Sequence, residues 1–169
     1  MTNHAHLLLT PNEKDSVGSL MKRLGQRYVQ YIYRRSVTLW ERRFRSCIAQ
    51  VDNYLLHCQR YIELNPVRAE MVDHPMDYRW SSYRTNAQGE PGKVLKAHFM
   101  CEELGLTEAA RQANYRELFR YDLEPGLVDE IRKATNDNFV LGGNRFKEGI
   151  SKTLGRRVIP GKAGRLIKK

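Results

Sequence analysis

The chain has 169 residues, enough for one domain with a real core, and its 41% hydrophobic and 28% charged residues are ordinary globular values. Lys and Arg number 29 against 19 Asp and Glu, a net charge of +10, which makes a polyanion, nucleic acid above all, the leading partner class. No apolar run is long enough to span a membrane, no positively charged leader precedes an apolar core, and three cysteines at unrelated spacings (Cys47, Cys58, Cys101) suit neither a disulfide framework nor a zinc knuckle. These features predict a cytoplasmic protein with reduced, packed thiols.

Thr2 to Thr10 reads as a buried strand ended by Pro11. On a strand, His4 and His6 share one face, and two adjacent imidazoles are a metal-site geometry. A bare His-x-His is common, and capping or solvated histidines explain it equally well without further partners. Asp15 or Ser16 can cap a helix in which Val17, Leu20, Met21, Leu24, Tyr28, Tyr31 and Ile32 recur at helical spacing. Arg23, Arg27, Arg34 and Arg35 lie off that apolar stripe, as on a solvated cationic face or on a helix laid along phosphates.

After a connector, Leu39 to Ala49 alternates imperfectly between large apolar and cationic residues, predicting a second strand whose wet face carries Arg42, Arg43 and Arg45. Asp52 or Asn53 is positioned to cap a helix with Tyr54, Leu55, Cys58, Tyr61, Ile62 and Leu64 on its apolar side, ended by Pro66. Tyr61 and Asn65, four apart, share a face of it. Periodicity alone makes Tyr61 a half-buried packing residue. Beside a metal, however, a tyrosine is a competent covalent nucleophile for a phosphodiester, and His4, His6 and the Asn65 amide form a mixed nitrogen and oxygen donor set suited to Mg2+ or Mn2+.

His74 to Tyr78 reads as a turn and Arg79 to Tyr83 as a short structured element. The break in composition over Asn86 to Gly92 predicts a boundary, giving domains 1–88 and 89–169. Beyond it, Thr107 caps a helix to Tyr121 that packs through Ala109, Ala110, Ala113, Leu118 and Phe119. Pro125 opens another to Ala134, Leu141 to Gly143 is a turn, and Asn144 to Leu154 is a last helix. Gly155 to Lys169 carries Arg156, Arg157, Lys162 and Arg165 among its cations, with no acidic residue, and reads as a flexible basic tail.

Taken together, these stretches resemble a known family. His4-Ala5-His6 running into Leu7-Leu8-Leu9 looks like the HUH metal motif, and Tyr61-Ile62-Glu63-Leu64-Asn65-Pro66-Val67-Arg68-Ala69 looks like the catalytic helix of single-tyrosine HUH transposases. Leu39-Trp40-Glu41 with Arg43-Phe44-Arg45-Ser46, and Trp80-Ser81-Ser82-Tyr83, are similar to the REP-associated tyrosine transposases within that family. The resemblance covers most of residues 1–88.

The resemblance implies an α+β fold: a ferredoxin-like HUH core of antiparallel sheet and helices, followed by a helical, basic C-terminal extension. It implies a metal-dependent transposase of single-stranded hairpin DNA, with His4, His6 and Asn65 holding Mg2+ or Mn2+. Tyr61 would form a 5'-phosphotyrosine link. The family core has a strand and a helix ahead of its histidine strand, and here the chain opens at the motif. Leu7, Leu8 and Leu9 are therefore expected on a strand lacking its neighbour, as in a truncated copy or a chain whose start is assigned too late. A DNA-binding module that does not cut is the competing function, since the basic stretches serve either. A metal hydrolase without covalent catalysis would need a general base that the sequence does not offer.

Overall fold

A computed structural model describes residues 4–33 and 44–161. Among them the architecture is mixed and mostly helical: α1 (Ser16–Tyr33), β1 (Ile48–Ala49), α2 (Val51–Glu63), α3 (Asn65–Arg68), α4 (Tyr83–Gln88), α5 (Phe99–Glu102), α6 (Glu108–Glu117), α7 (Pro125–Asn136), β2 (Val140–Leu141) and α8 (Asn144–Leu154). A single 3-10 turn, Pro75–Asp77, is capped by His74, whose Nδ1 accepts from the Met76 amide at 3.1 Å.

The α+β class holds, with one correction. Instead of an antiparallel sheet, the described residues form a two-residue parallel pair, Ile48 against Val140 and Ala49 against Leu141. Helices α2 to α7 intervene between the two strands, and a crossover of that kind returns the chain in the same direction. The expected strand over Leu39 to Ala49 shrinks to β1, its first five residues lying outside the described ones. Residues 4–10 form no strand, and Leu7, Leu8 and Leu9 are 49%, 41% and 42% exposed. Without a paired neighbour, the backbone of such a segment finds no ladder to complete.

The expected apolar face of α1 is also open. Leu20, Leu24, Tyr28, Tyr31 and Ile32 are all exposed, and the buried residue is Val29. Helix α2 begins differently from expectation. Gln50, not Asp52 or Asn53, is its N-cap; the Gln50 amide donates to Leu141 O at 2.8 Å, and its Oε1 accepts from Gly143 N at 3.0 Å. Gly142 is required beside it, because a Cβ there would lie 2.5 Å from Phe146 Cδ1. Leu141, expected in a turn, is a fully buried strand residue.

Two apolar clusters flank α2. Cys58, Tyr61 and Leu64 pack with Leu123, Val128, Ile131, Ala134 and Leu141 on one side, and Tyr83, Ala87, Cys101 and Tyr115 form the other. Both sides of position 88 contribute to each interior, since α4 packs on α6 and α2 on α7 residues. Thr107 caps α6 as expected, accepting from Ala110 N at 3.2 Å, but the helix stops at Glu117 and buries Tyr115 rather than its alanines. The basic tail is anchored over its first residues. Val158 is 1% exposed and its carbonyl accepts from Val140 N at 3.0 Å, so the chain stays docked on β2 beyond α8. The three cysteines are free thiols, and burial pushes Cys58 up to about 12.

Candidate functional site

Helix α2 ends where proline dictates. Pro66 cannot donate to a continuing helix, so Leu64 caps α2 and the chain restarts as α3 with Asn65 and Pro66 in its first turn. Tyr61 and Asn65 thus straddle a helix junction instead of sharing one uninterrupted face. Both are buried, Tyr61 at 9% and Asn65 at 8% exposure.

The N-terminal segment crosses this junction. His6 Nε2 lies 2.6 Å from Asn65 Nδ2, a contact between residues 59 apart in sequence. The His6 ring meets Tyr61 edge-on at 5.9 Å between centroids, and His4 meets His6 edge-on at 4.9 Å. The four residues singled out in the sequence therefore lie together. Burial, His4 and the Arg68 guanidinium hold His6 below the usual imidazole range, which keeps the ring neutral and its lone pair available.

That lone pair is where the donor chemistry is decided. An amide N–H of Asn65 facing a neutral Nε2 donates to it, and in that rotamer the nitrogen is satisfied by protein. Turning the amide over exchanges NH2 for the carbonyl oxygen and leaves Nε2 and Oδ1 as two neighbouring donors to a cation. With His4 beside them, the set is two imidazoles and an amide oxygen, which fits a divalent cation that keeps open positions. Among the described residues there is no cluster of three or more His, Cys, Asp or Glu arranged for a metal ion.

Arg68, absent from the sequence-derived site, completes the group. Its Cζ sits 4.6 Å from the centroid of the Tyr61 ring, and its Nη2 donates to the Tyr61 carbonyl at 2.5 Å. On the opposite side of α2, Glu63 is fully buried. Its carboxylate accepts from Ser82 Oγ, from Asn86 Nδ2 at 3.1 Å and from Tyr115 Oη at 2.9 Å, tying α2 to α4 and α6. Burial raises the Glu63 carboxyl above its usual range despite these donors. The sequence signal for this network was the pair Ser82 and Asn86, one helical turn apart.

The cationic residues are distributed. Arg23 and Arg27 are exposed on α1; Arg45 is exposed and donates to Asn136 Oδ1 at 2.7 Å; Arg156 and Arg157 are exposed after α8, with Arg157 Nε donating to Ile159 O at 2.9 Å. Arg34, Arg35, Arg42, Arg43, Lys162 and Arg165 lie outside the described residues. No described helix is long and apolar enough to cross a membrane. No family model, curated protein or solved structure matches this chain.

Proposed function

We propose that this chain cleaves and rejoins single-stranded DNA, hairpins in particular, with Tyr61 as nucleophile and Mg2+ or Mn2+ held by His4, His6 and Asn65. The observation that carries the reading is the meeting of a histidine pair, an amide and a buried tyrosine across 59 residues of sequence. The net charge of +10 suits a polyanionic substrate. The reading implies descent from a ferredoxin-like HUH core, from which the histidine segment and the tyrosine helix are the facing parts.

A divalent cation, when bound, polarises a phosphoryl oxygen. The protein's own residues do the rest. The Tyr61 oxygen forms a bond to phosphorus as the bond from phosphorus to the 3' oxygen breaks. The phenolic proton leaves to solvent and the departing 3' oxygen takes one up. The products are a 5'-phosphotyrosine and a free 3'-hydroxyl. Attack by a 3'-hydroxyl on the phosphotyrosine reverses the bond changes, regenerates Tyr61 and joins strands.

The test is a labelled DNA hairpin incubated with the protein and Mn2+, then resolved under denaturing conditions. A covalent adduct that disappears in Tyr61→Phe, persists in Tyr54→Phe and leaves DNA affinity unchanged is the expected result. Hairpin binding with no adduct from the unmodified chain would replace this reading with that of a binding module.

A further inference from the structure

Arg68 is the group that the residues around Tyr61 leave unexplained. It is half-buried, yet it makes no ion pair with any described carboxylate; the ion pairs present are Arg84 with Glu90, Arg120 with Glu117, Arg132 with Asp129 and Lys147 with Glu130. Its Nε is buried and has no hydrogen-bond partner. Among the described residues its hydrogen bond runs from Nη2 to the Tyr61 carbonyl. A buried donor without an acceptor is destabilising, more so in a charged group. The position of this one is specific: the guanidinium lies over the ring of the proposed nucleophile, while His6 meets the same ring edge-on.

The contacts described around the Tyr61 ring are made by His6, which Asn65 meets in turn, and by Arg68, and the Asp122 carboxylate is near enough to favour the guanidinium's charge without pairing with it. A fixed guanidinium with unused N–H donors in such a group is an anion site. Arginine's planar fork matches a phosphate's paired oxygens, which a lysine's point charge does not.

We propose that Arg68 is a catalytic residue that binds a non-bridging oxygen of the scissile phosphate, orienting the phosphorus toward the Tyr61 oxygen and balancing the charge that develops there. The proposal rests on Tyr61 being the nucleophile for its catalytic part and on the Arg68 geometry for its anion-binding part. Held by its bond to the Tyr61 carbonyl and stacked on the ring, the guanidinium moves with the nucleophile and needs no reorganisation when charge appears. Burial and the nearby Arg132 weigh against its charge while Tyr61 and Asp122 favour it, and a phosphate seated on the unused donors would add to the favourable side.

Two measurements test this separately. In the first, adduct formation on a hairpin with Mn2+ is timed for Arg68→Gln, which retains a donor for the Tyr61 carbonyl but no charge. A loss of about 100- to 1000-fold is expected, as for removal of one preorganised oxyanion donor. Arg68→Lys should recover part of it. Arg60→Gln removes a guanidinium that packs on Phe119 instead, and should leave the rate unchanged. Replacing the scissile phosphate by a methylphosphonate removes the charged oxygen; the Arg68→Gln penalty should then largely vanish, and a penalty of undiminished size would overturn the assignment.

The second measurement needs no cleavage. Phenyl phosphate is titrated into the protein with its tyrosine rings isotopically labelled, and the Tyr61 signals, assigned through Tyr61→Phe, are followed by NMR. A saturable shift that is lost in folded Arg68→Gln supports the site. No shift in the unmodified protein, or the same shift in Arg68→Gln, overturns it. A protein that shifts with phenyl phosphate but never forms an adduct keeps the anion site while losing the nucleophile.

Discussion

The Asn65 amide nitrogen stands 2.6 Å from His6 Nε2, where it meets the same lone pair that the proposed cation would use. One amide rotation separates the two arrangements. Asn65→Asp removes the donor and adds a charge. It should raise the His6 pKa through the adjacent carboxylate, and it should strengthen Mn2+ binding. NMR titration of the imidazole and calorimetry check the two halves. A His6 that titrates unchanged in the variant would show that the amide and the ring do not interact.

His6 also predicts how stability depends on pH. Burial, with His4 and Arg68 beside it, holds its folded pKa below the ordinary imidazole value of 6.5, so the unfolded chain binds the proton more tightly. The contribution is present above pH 6.5 and is lost as the pH falls through the folded pKa. His6→Gln should flatten the stability curve just below pH 6.5, measured by chemical denaturation across that window.

Glu63 acts in the opposite sense. Its carboxyl is raised above 4.5 by burial, so the folded state holds the proton more tightly and stability is lost as the pH rises from 4.5 through the folded pKa. Glu63→Gln keeps an acceptor for Ser82 and Asn86 and can donate to the Tyr115 oxygen. It should therefore match the unmodified chain at pH 4 and exceed it at pH 8. Glu63→Leu, which leaves three polar partners unsatisfied, should cost about 3 kcal/mol or more. A Gln variant that loses stability equally at both pH values would mean that the carboxylate is wanted as a charge.

Salt dependence of DNA affinity reads the basic stretches. Each phosphate neutralised on a single strand adds about 0.7 to the slope of log affinity against log salt. Arg156→Gln with Arg157→Gln should reduce the slope by up to about 1.4 if both side chains touch phosphate. Deletion from Gly155 is the wrong variant, because it removes Val158 from its place on β2. Truncation after Gly161 removes Lys162, Arg165, Lys168 and Lys169 without that damage. A slope unchanged by both alterations would clear this end of the chain of any role in binding.

The open leucines predict self-association. Leu7, Leu8, Leu9, Leu20 and Leu24 are each more than 40% exposed, and apolar surface of this extent on adjacent segments promotes contact between copies. Sedimentation velocity should show mass rising with concentration. Leu20→Lys with Leu24→Lys should reduce it without altering the thermal transition. A strictly monomeric chain at high concentration would indicate that the two segments are individually too small to matter.

The histidine pair, the tyrosine and the amide stand out in the sequence through the family resemblance, since a bare His-x-His is common and periodicity alone makes Tyr61 a packing residue. What escaped was decided by tertiary context. Gly142-Gly143 made Leu141 look like part of a turn, yet pairing with Ala49 makes it a strand residue. The alanines of α6 offered a packing stripe, but Tyr115 is drawn inward by the Glu63 carboxylate. Gly155 and its cationic followers hid Val158, a single apolar residue whose burial no periodicity announces. Arg68 carries no role in the sequence reading, because nothing in local sequence reveals that its guanidinium donates to the Tyr61 carbonyl.

The parallel pair of β1 and β2 sets an order of events during synthesis. Ile48 waits for Val140, and Val140 in turn donates to the Val158 carbonyl, so the base of the helix carrying Tyr61 is braced only after the ribosome has passed Val158. The histidine segment docks on Tyr61 and Asn65, on the helices so braced. A chain cut short of Val158 should therefore hold its tyrosine and its histidines less firmly together.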